Sequence, residues 1–210
     1  MKSGLIVLGA IGVVAAAANA RPLYQKDLLL NGDNGAFAYF NQQIADDFTL
    51  SSDAAVGQAT WYGNFFNSGD PFDDGTFSFM LRFYADAGGV PADTAFSERE
   101  VSATLFDTGV TQSGDRIYRF STTFPAVSLS GGVKYYLNVE EVDANTPKPS
   151  FRWNNGGNDI DDDVMFFNQG TGWNTSGDPR GGCAFTLDVP APSGVVLGFA
   201  GLIAANRRRR

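Results

Sequence analysis

The densest cluster of potential chemistry in this 210-residue chain is Asn158-Asp159-Ile160-Asp161-Asp162-Asp163, an acidic run that follows a glycine-rich turn. Carboxylates packed this closely repel one another unless solvent or a cation compensates. Asp159, Asp161 and Asp163 have the alternate spacing of a calcium loop, and hard oxygen donors suit Ca²⁺. The pattern departs from an EF-hand, because Val164 stands where glycine is required and no Glu follows at the twelfth position. Two readings stay open: a structural calcium site on these three aspartates, and a solvated acidic turn. A second acidic turn, Asp70, Asp73 and Asp74, has poorer spacing. Asp46 and Asp47 are expected just before a strand, capping a turn through local backbone N–H bonds, or else reaching toward a calcium ion.

Trp61, Tyr62, Trp153 and Trp173 could stack on sugar rings, since aromatic side chains offer flat apolar area with a polar edge. Trp173 lies in Gly170-Thr171-Gly172-Trp173-Asn174, which lacks strand alternation and reads as a loop, where binding residues concentrate. It is the candidate ligand-binding residue. Trp61 and Trp153 fall in strand-like runs and are expected in a core. Catalysis has little to work with. The chain contains no histidine, which removes Ser-His-Asp and Cys-His catalysis and His-ligated metal sites. Glycoside hydrolysis needs paired carboxylates. Glu140 and Glu141 are strand neighbours that point to opposite faces, and Glu98 and Glu100 are expected to form surface ion pairs beside Arg99. No catalytic residue is assigned, and no enzyme is expected. Cys183 is the single cysteine, so no internal disulfide is possible, and a buried thiol near the last strand is expected.

The elements that must position these groups are strands. Phe77, Phe79, Leu81 and Phe83 alternate with Thr76, Ser78 and Arg82; Tyr118, Phe120 and Phe124 alternate with Arg119, Ser121 and Thr123. Tyr135, Leu137 and Val139 alternate with Tyr136, Asn138 and Glu140. A period of two places one face on a core and the other toward water. With further strand-like runs at 47–50, 57–66, 99–107, 150–154, 164–168 and 184–189, the pattern predicts about nine strands in an all-β sandwich or jelly-roll-like fold. One helix is expected near residues 36–43.

Both ends read as processing segments. Lys2, the apolar run 5–18 and Ala18-Asn19-Ala20 compose a signal peptide over residues 1–20, cleaved by signal peptidase before Arg21. An uncharged run at 195–205 precedes Arg207, Arg208, Arg209 and Arg210, which the positive-inside rule holds in the cytoplasm. Thirteen residues from Ser193 make roughly 20 Å of helix at about 1.5 Å per residue, short of a bilayer core of about 30 Å. Such a transmembrane anchor is transient. Lys2 and the terminal arginines account for five of the fifteen basic residues, leaving ten against twenty-three acidic ones in the remainder. That excess excludes a nucleic-acid footprint.

The C-terminus resembles the PEP-CTERM sorting signal of Gram-negative bacteria that make exopolysaccharide. The motif is Val189-Pro190-Ala191-Pro192, followed by the apolar run and the arginine cluster; the family usually has Glu where Ala191 stands. The resemblance implies an exosortase that cleaves near the motif and delivers the protein to the cell surface or matrix. Ala45-Asp46-Asp47-Phe48-Thr49-Leu50, Trp61-Tyr62-Gly63 and Leu81-Arg82-Phe83-Tyr84-Ala85-Asp86 with Gly88-Gly89-Val90-Pro91 also look like the extracellular sandwich domains of such proteins. The expected organisation is a signal peptide (1–20), a β-sandwich (21–188) and a sorting signal (189–210). The expected role is a structural or interaction protein of the surface or exopolysaccharide matrix. The alternative is a calcium-stabilised carbohydrate-binding module using Trp173.

Overall fold

The alternating runs do become strands. The computed structural model describes residues 22–30, 35–38, 42–66, 76–142, 151–157, 164–168, 172–175 and 182–190. Twelve strands follow in order: β1 (Tyr24–Lys26), β2 (Ala36–Phe37), β3 (Gln43–Thr49), β4 (Ala54–Phe65), β5 (Thr76–Ala85) and β6 (Ser97–Gln112). The second half comprises β7 (Asp115–Leu129), β8 (Lys134–Glu141), β9 (Phe151–Trp153), β10 (Met165–Asn168), β11 (Gly172–Thr175) and β12 (Phe185–Asp188). All belong to one antiparallel sheet ordered β1-β12-β4-β7-β6-β5-β8-β3-β10-β11, with β9 on β4 and β2 on β9. The all-β expectation is met.

The sheet folds back on itself, and β6 makes the corner. Its first half, Ser97 to Thr104, pairs with β5; its second, Thr104 to Gln112, pairs with β7. A register shift between Asp107 and Thr111 adds a local bend on the β7 side. The result brings strands distant in the order face to face. Tyr24 of β1 and Phe185 of β12 both meet Phe48 of β3, at ring separations of 5.7 and 6.1 Å, although five strands separate β12 from β3 in the sheet.

Aromatic rings fill the enclosed space. Phe120 of β7 touches Trp61 (5.9 Å), Phe65 (6.1 Å), Phe77 (5.9 Å), Phe79 (5.1 Å) and Phe151 (5.6 Å), so one ring joins β4, β5, β7 and β9. Most of these pairs are edge-on, the arrangement favoured by the ring quadrupole. Phe77, Phe79, Leu81 and Phe83 are all buried, as their alternation predicts, and Trp61 and Trp153 are fully buried.

Four expectations need correction. Residues 36–43 are not helical where described: Ala36–Phe37 is β2 and Gln43 opens β3, because Ala36 and Phe37 find ladder partners in Trp153 and Arg152. Twelve strands replace nine, the additions being the short β1, β2 and β11. Trp173 is in strand β11 rather than a loop, paired across to Phe167. And β8 has no water-facing side: Tyr136, Asn138 and Glu140 are buried as well as Leu137 and Val139. Among the described residues no helix is long and apolar enough to cross a membrane. The expected signal and C-terminal helices lie outside the described residues.

Phe120→Ala is expected to cost about 3–5 kcal/mol, the usual range for deleting a buried ring that the surroundings cannot refill. Exposed Thr123→Ala on the same strand should stay within about 0.5 kcal/mol. Denaturant melts of both variants check the contrast, and equal losses would mean Phe120 is not the packing centre.

Candidate functional site

Asp46 lies within β3, fully buried, rather than before a strand. Its carboxylate accepts from Lys26 Nζ at 2.8 Å, from the Cys183 backbone N–H at 2.8 Å and from the Asp47 N–H at 3.0 Å. The side chain of Lys26 is only 8 % exposed, so both charges are out of water and the hydrogen bonds offset their desolvation. Gly182 permits this approach, since a Cβ there would stand 2.2 Å from Lys26 Nζ and 2.6 Å from both Asp46 oxygens. Asp47 points away and pairs with Lys134 Nζ at 2.8 Å. Cys183 is fully buried beside β12, as expected. This constellation is a structural clasp.

Arg82 organises a second polar group, on the outer side of β5. It donates from Nε to Glu98 (2.7 Å), from Nη1 to Asn138 (2.9 Å), and to Glu140. Burial pulls the guanidinium pKa down, but the hydrogen bonds it donates to the Glu140 and Glu98 carboxylates outweigh that, and the net shift is upward. Glu98 therefore answers to Arg82 across the β5–β6 ladder, not to its neighbour Arg99. Arg99 instead donates to the Pro125 carbonyl (2.6 Å) and Ser97 Oγ (2.7 Å).

Trp173 is half-buried. Its ring packs edge-on against Tyr84 and Phe167, both at 5.3 Å, and its Nε1 is buried without a hydrogen-bond partner. It walls a small apolar cluster of Ala45, Tyr84, Tyr136 and Met165 that Val90 and Ala95 also cover. Burial pushes the Tyr84 phenol up to about 12, while its hydroxyl donates to Gln43 Oε1 (3.2 Å). The Tyr136 phenol is raised by burial and then by Asp86, to which it donates at 3.2 Å.

Asp159, Asp161 and Asp163 lie outside the described residues, as do Ala191, Pro192, Arg207, Arg208, Arg209 and Arg210. Among the described residues no group of three or more acidic or cysteine side chains is placed to hold a metal ion. Val189 is 47 % exposed, and Pro190 closes over Gly57, where a Cβ would meet its ring at 2.3 Å.

The surface with the most contiguous recognition chemistry is one that no single sequence segment displays. On the outer side of β12, β4, β7 and β6, ladder pairing aligns Thr186, Thr60, Ser121 and Thr104 in one cross-strand row. The neighbouring row on one side is Tyr62, Arg119 and Phe106. Phe106 is 55 % exposed, and the Arg119 guanidinium stands 4.7 Å above its ring. On the other side Asp188, Gln58 and Thr123 follow in register. Beyond Thr104, β6 leaves β7 for β5, and a groove of about 270 Å³ opens among Gln58, Ser102, Thr104, Ser121 and Thr123. Tyr62 was recognisable in the sequence as a stacking candidate, and Arg119, Ser121 and Thr123 as a polar face; Phe106 was hidden because the register that aligns it is set by folding. No protein-family model matches the chain, and no curated protein matches it.

Asp46→Ala is expected to destabilise by about 3–5 kcal/mol, because Lys26 stays buried without its counter-charge. Lys26→Met with Asp46→Leu should recover most of that loss; a double variant no better than the single would refute the clasp. For pH, Tyr84 ionises later in the folded chain than its ordinary value of 10.0, at about 12. The folded state then holds more protons than the unfolded in that window, so stability present below pH 10 falls as pH rises through about 12. Thermal melts across this range should show a shallower decline in Tyr84→Phe, and parallel curves would contradict the burial of that phenol.

Proposed function

We propose that the chain is an exported β-sandwich protein of structural or interaction type, sorted through its C-terminal tail to the cell surface or an extracellular polysaccharide matrix. The observation that carries this is the junction at the end of β12. The last strand stops at Asp188, and Val189, first residue of the Val-Pro-Ala-Pro motif, is already half-exposed at the surface. A cleaving enzyme would therefore meet its motif without opening the sheet. The ordered combination of motif, apolar run and four arginines supports a sorting role more specifically than any one part.

Two further observations support delivery to a place without catalysis. The chain has no histidine, and among the described buried carboxylates Asp46 and Glu140 are engaged by Lys26 and Arg82, while Glu141, the strand neighbour of Glu140, faces the other side of β8. The sandwich assignment is supported by aromatic contacts between the two halves of the sheet. An aromatic core of this kind folds without a disulfide, which suits a chain whose only thiol is buried.

Mass spectrometry of protein recovered from the producing cells should find a mature form that begins at Arg21 and ends near Pro192. Recovery of Arg207 to Arg210 on the surface form would overturn tail cleavage, and recovery of the intact chain from the cytosol would overturn export.

A further inference from the structure

We propose that the outer face of β12, β4, β7 and β6 is a docking surface for a neutral polysaccharide strand. The face carries two kinds of chemistry in register. Tyr62, Arg119 and Phe106 lie side by side on three consecutive strands, at the roughly 4.8 Å spacing of a sheet. They offer aromatic area to the C–H faces of sugar rings and a guanidinium to their hydroxyls. The adjoining row, Thr186, Thr60, Ser121 and Thr104, supplies hydroxyls that both donate and accept. Four strands give a run of about 14 Å between the outermost residues, which fits a short stretch of polymer better than a single ring. The groove past Thr104 extends the same hydroxyl chemistry round the corner to Ser102.

The alternatives fit less well. A peptide strand would need an open backbone edge, but at the hydroxyl row β12, β4 and β7 are flanked on both sides, and only the half of β6 that carries Phe106 has a single neighbour, β7. A nucleic acid or an anionic polysaccharide would need a basic stripe, whereas the three rows carry one cation, Arg119, and one anion, Asp188, on a chain of net charge −8. An apolar protein partner would strand the hydroxyl row without hydrogen bonds, at a cost for each buried group. A neutral, hydroxyl-rich polymer leaves none of these conflicts.

The test is affinity electrophoresis of the purified chain in gels containing hydroxyethyl cellulose, dextran or alginate. Because it uses purified protein, its failure leaves the delivery reading intact, and a failure of delivery leaves this one intact. Retardation is expected in at least one neutral polymer, and it should persist from roughly 0.05 to 0.5 M salt, since few charges are involved. Phe106→Ala and Tyr62→Ala should each weaken it about five- to tenfold, in line with the loss of one aromatic contact. Phe96→Ala, an exposed ring elsewhere on the surface, should not change it. The proposal falls if neither neutral polymer retards the protein, if Phe106→Ala migrates like the parent, or if alginate alone retards it and salt abolishes the effect.

Discussion

A buried carboxylate decides how this sheet closes. Asp46 has no access to water, and an ion so placed is tolerated only if charge and hydrogen bonds replace its hydration. Two of its three donors reach it from the far end of the sheet, and the third is the N–H of the adjoining Asp47. Lys26 belongs to β1 at one end, the Cys183 N–H leads into β12 beside it, and Asp46 itself sits in β3 near the other end. Satisfying the carboxylate therefore requires the two halves of the sheet to meet. The close approach leaves no room for a side chain at Gly182, so a backbone position is dictated by an electrostatic need.

Once the ends are clasped, the middle must turn, and β6 turns by changing partners at Thr104. That single event has two consequences on opposite sides of the sheet. Inside, it sets Phe79 of β5 against Trp61 of β4 and Phe120 of β7, at 5.0 and 5.1 Å, so the aromatic core spans both halves. Outside, it pulls the β6 backbone away from β7 and opens the hydroxyl-lined groove. Core and candidate face are thus products of the same bend.

How much of this could be read in advance depends on strand length. Period-two alternation needs several residues to declare itself, and the ten residues of β5 declared it cleanly. The three-residue β1, with Lys26 at a buried position, and β11, set among glycines around Trp173, gave no such signal. Alternation also assumes that one face is wet. In β8 it is not, because Arg82 and the segment bearing Asp86, Val90 and Ala95 cover Tyr136, Asn138 and Glu140 from outside. The role of Asp46 was illegible for a different reason: its partners lie 20 and 137 residues away, and sequence next to a strand suggests only local capping. The Tyr62–Arg119–Phe106 row was half visible, since the strands could be recognised but their mutual register could not.

The distribution of charge gives the outer face its meaning. With twenty-three acidic residues to place, a solubility requirement alone would be met most simply by carboxylates on every exposed strand position. Instead acids concentrate in the sequence between strands, at Asp70, Asp73 and Asp74 and again at Asp159 and Asp161 to Asp163. The three rows across β4, β7 and β6 hold Ser, Thr, Gln, two rings and one arginine. Charges more than about 10 Å away are largely screened at 0.1 M salt, so this face is electrically quiet despite the acidity of the chain. A Phe106 ring that stays 55 % exposed beneath the Arg119 guanidinium adds little to solubility, and neither it nor the hydroxyl row belongs to the core. Their regular placement in register suits the proposed contact with a polar, uncharged polymer.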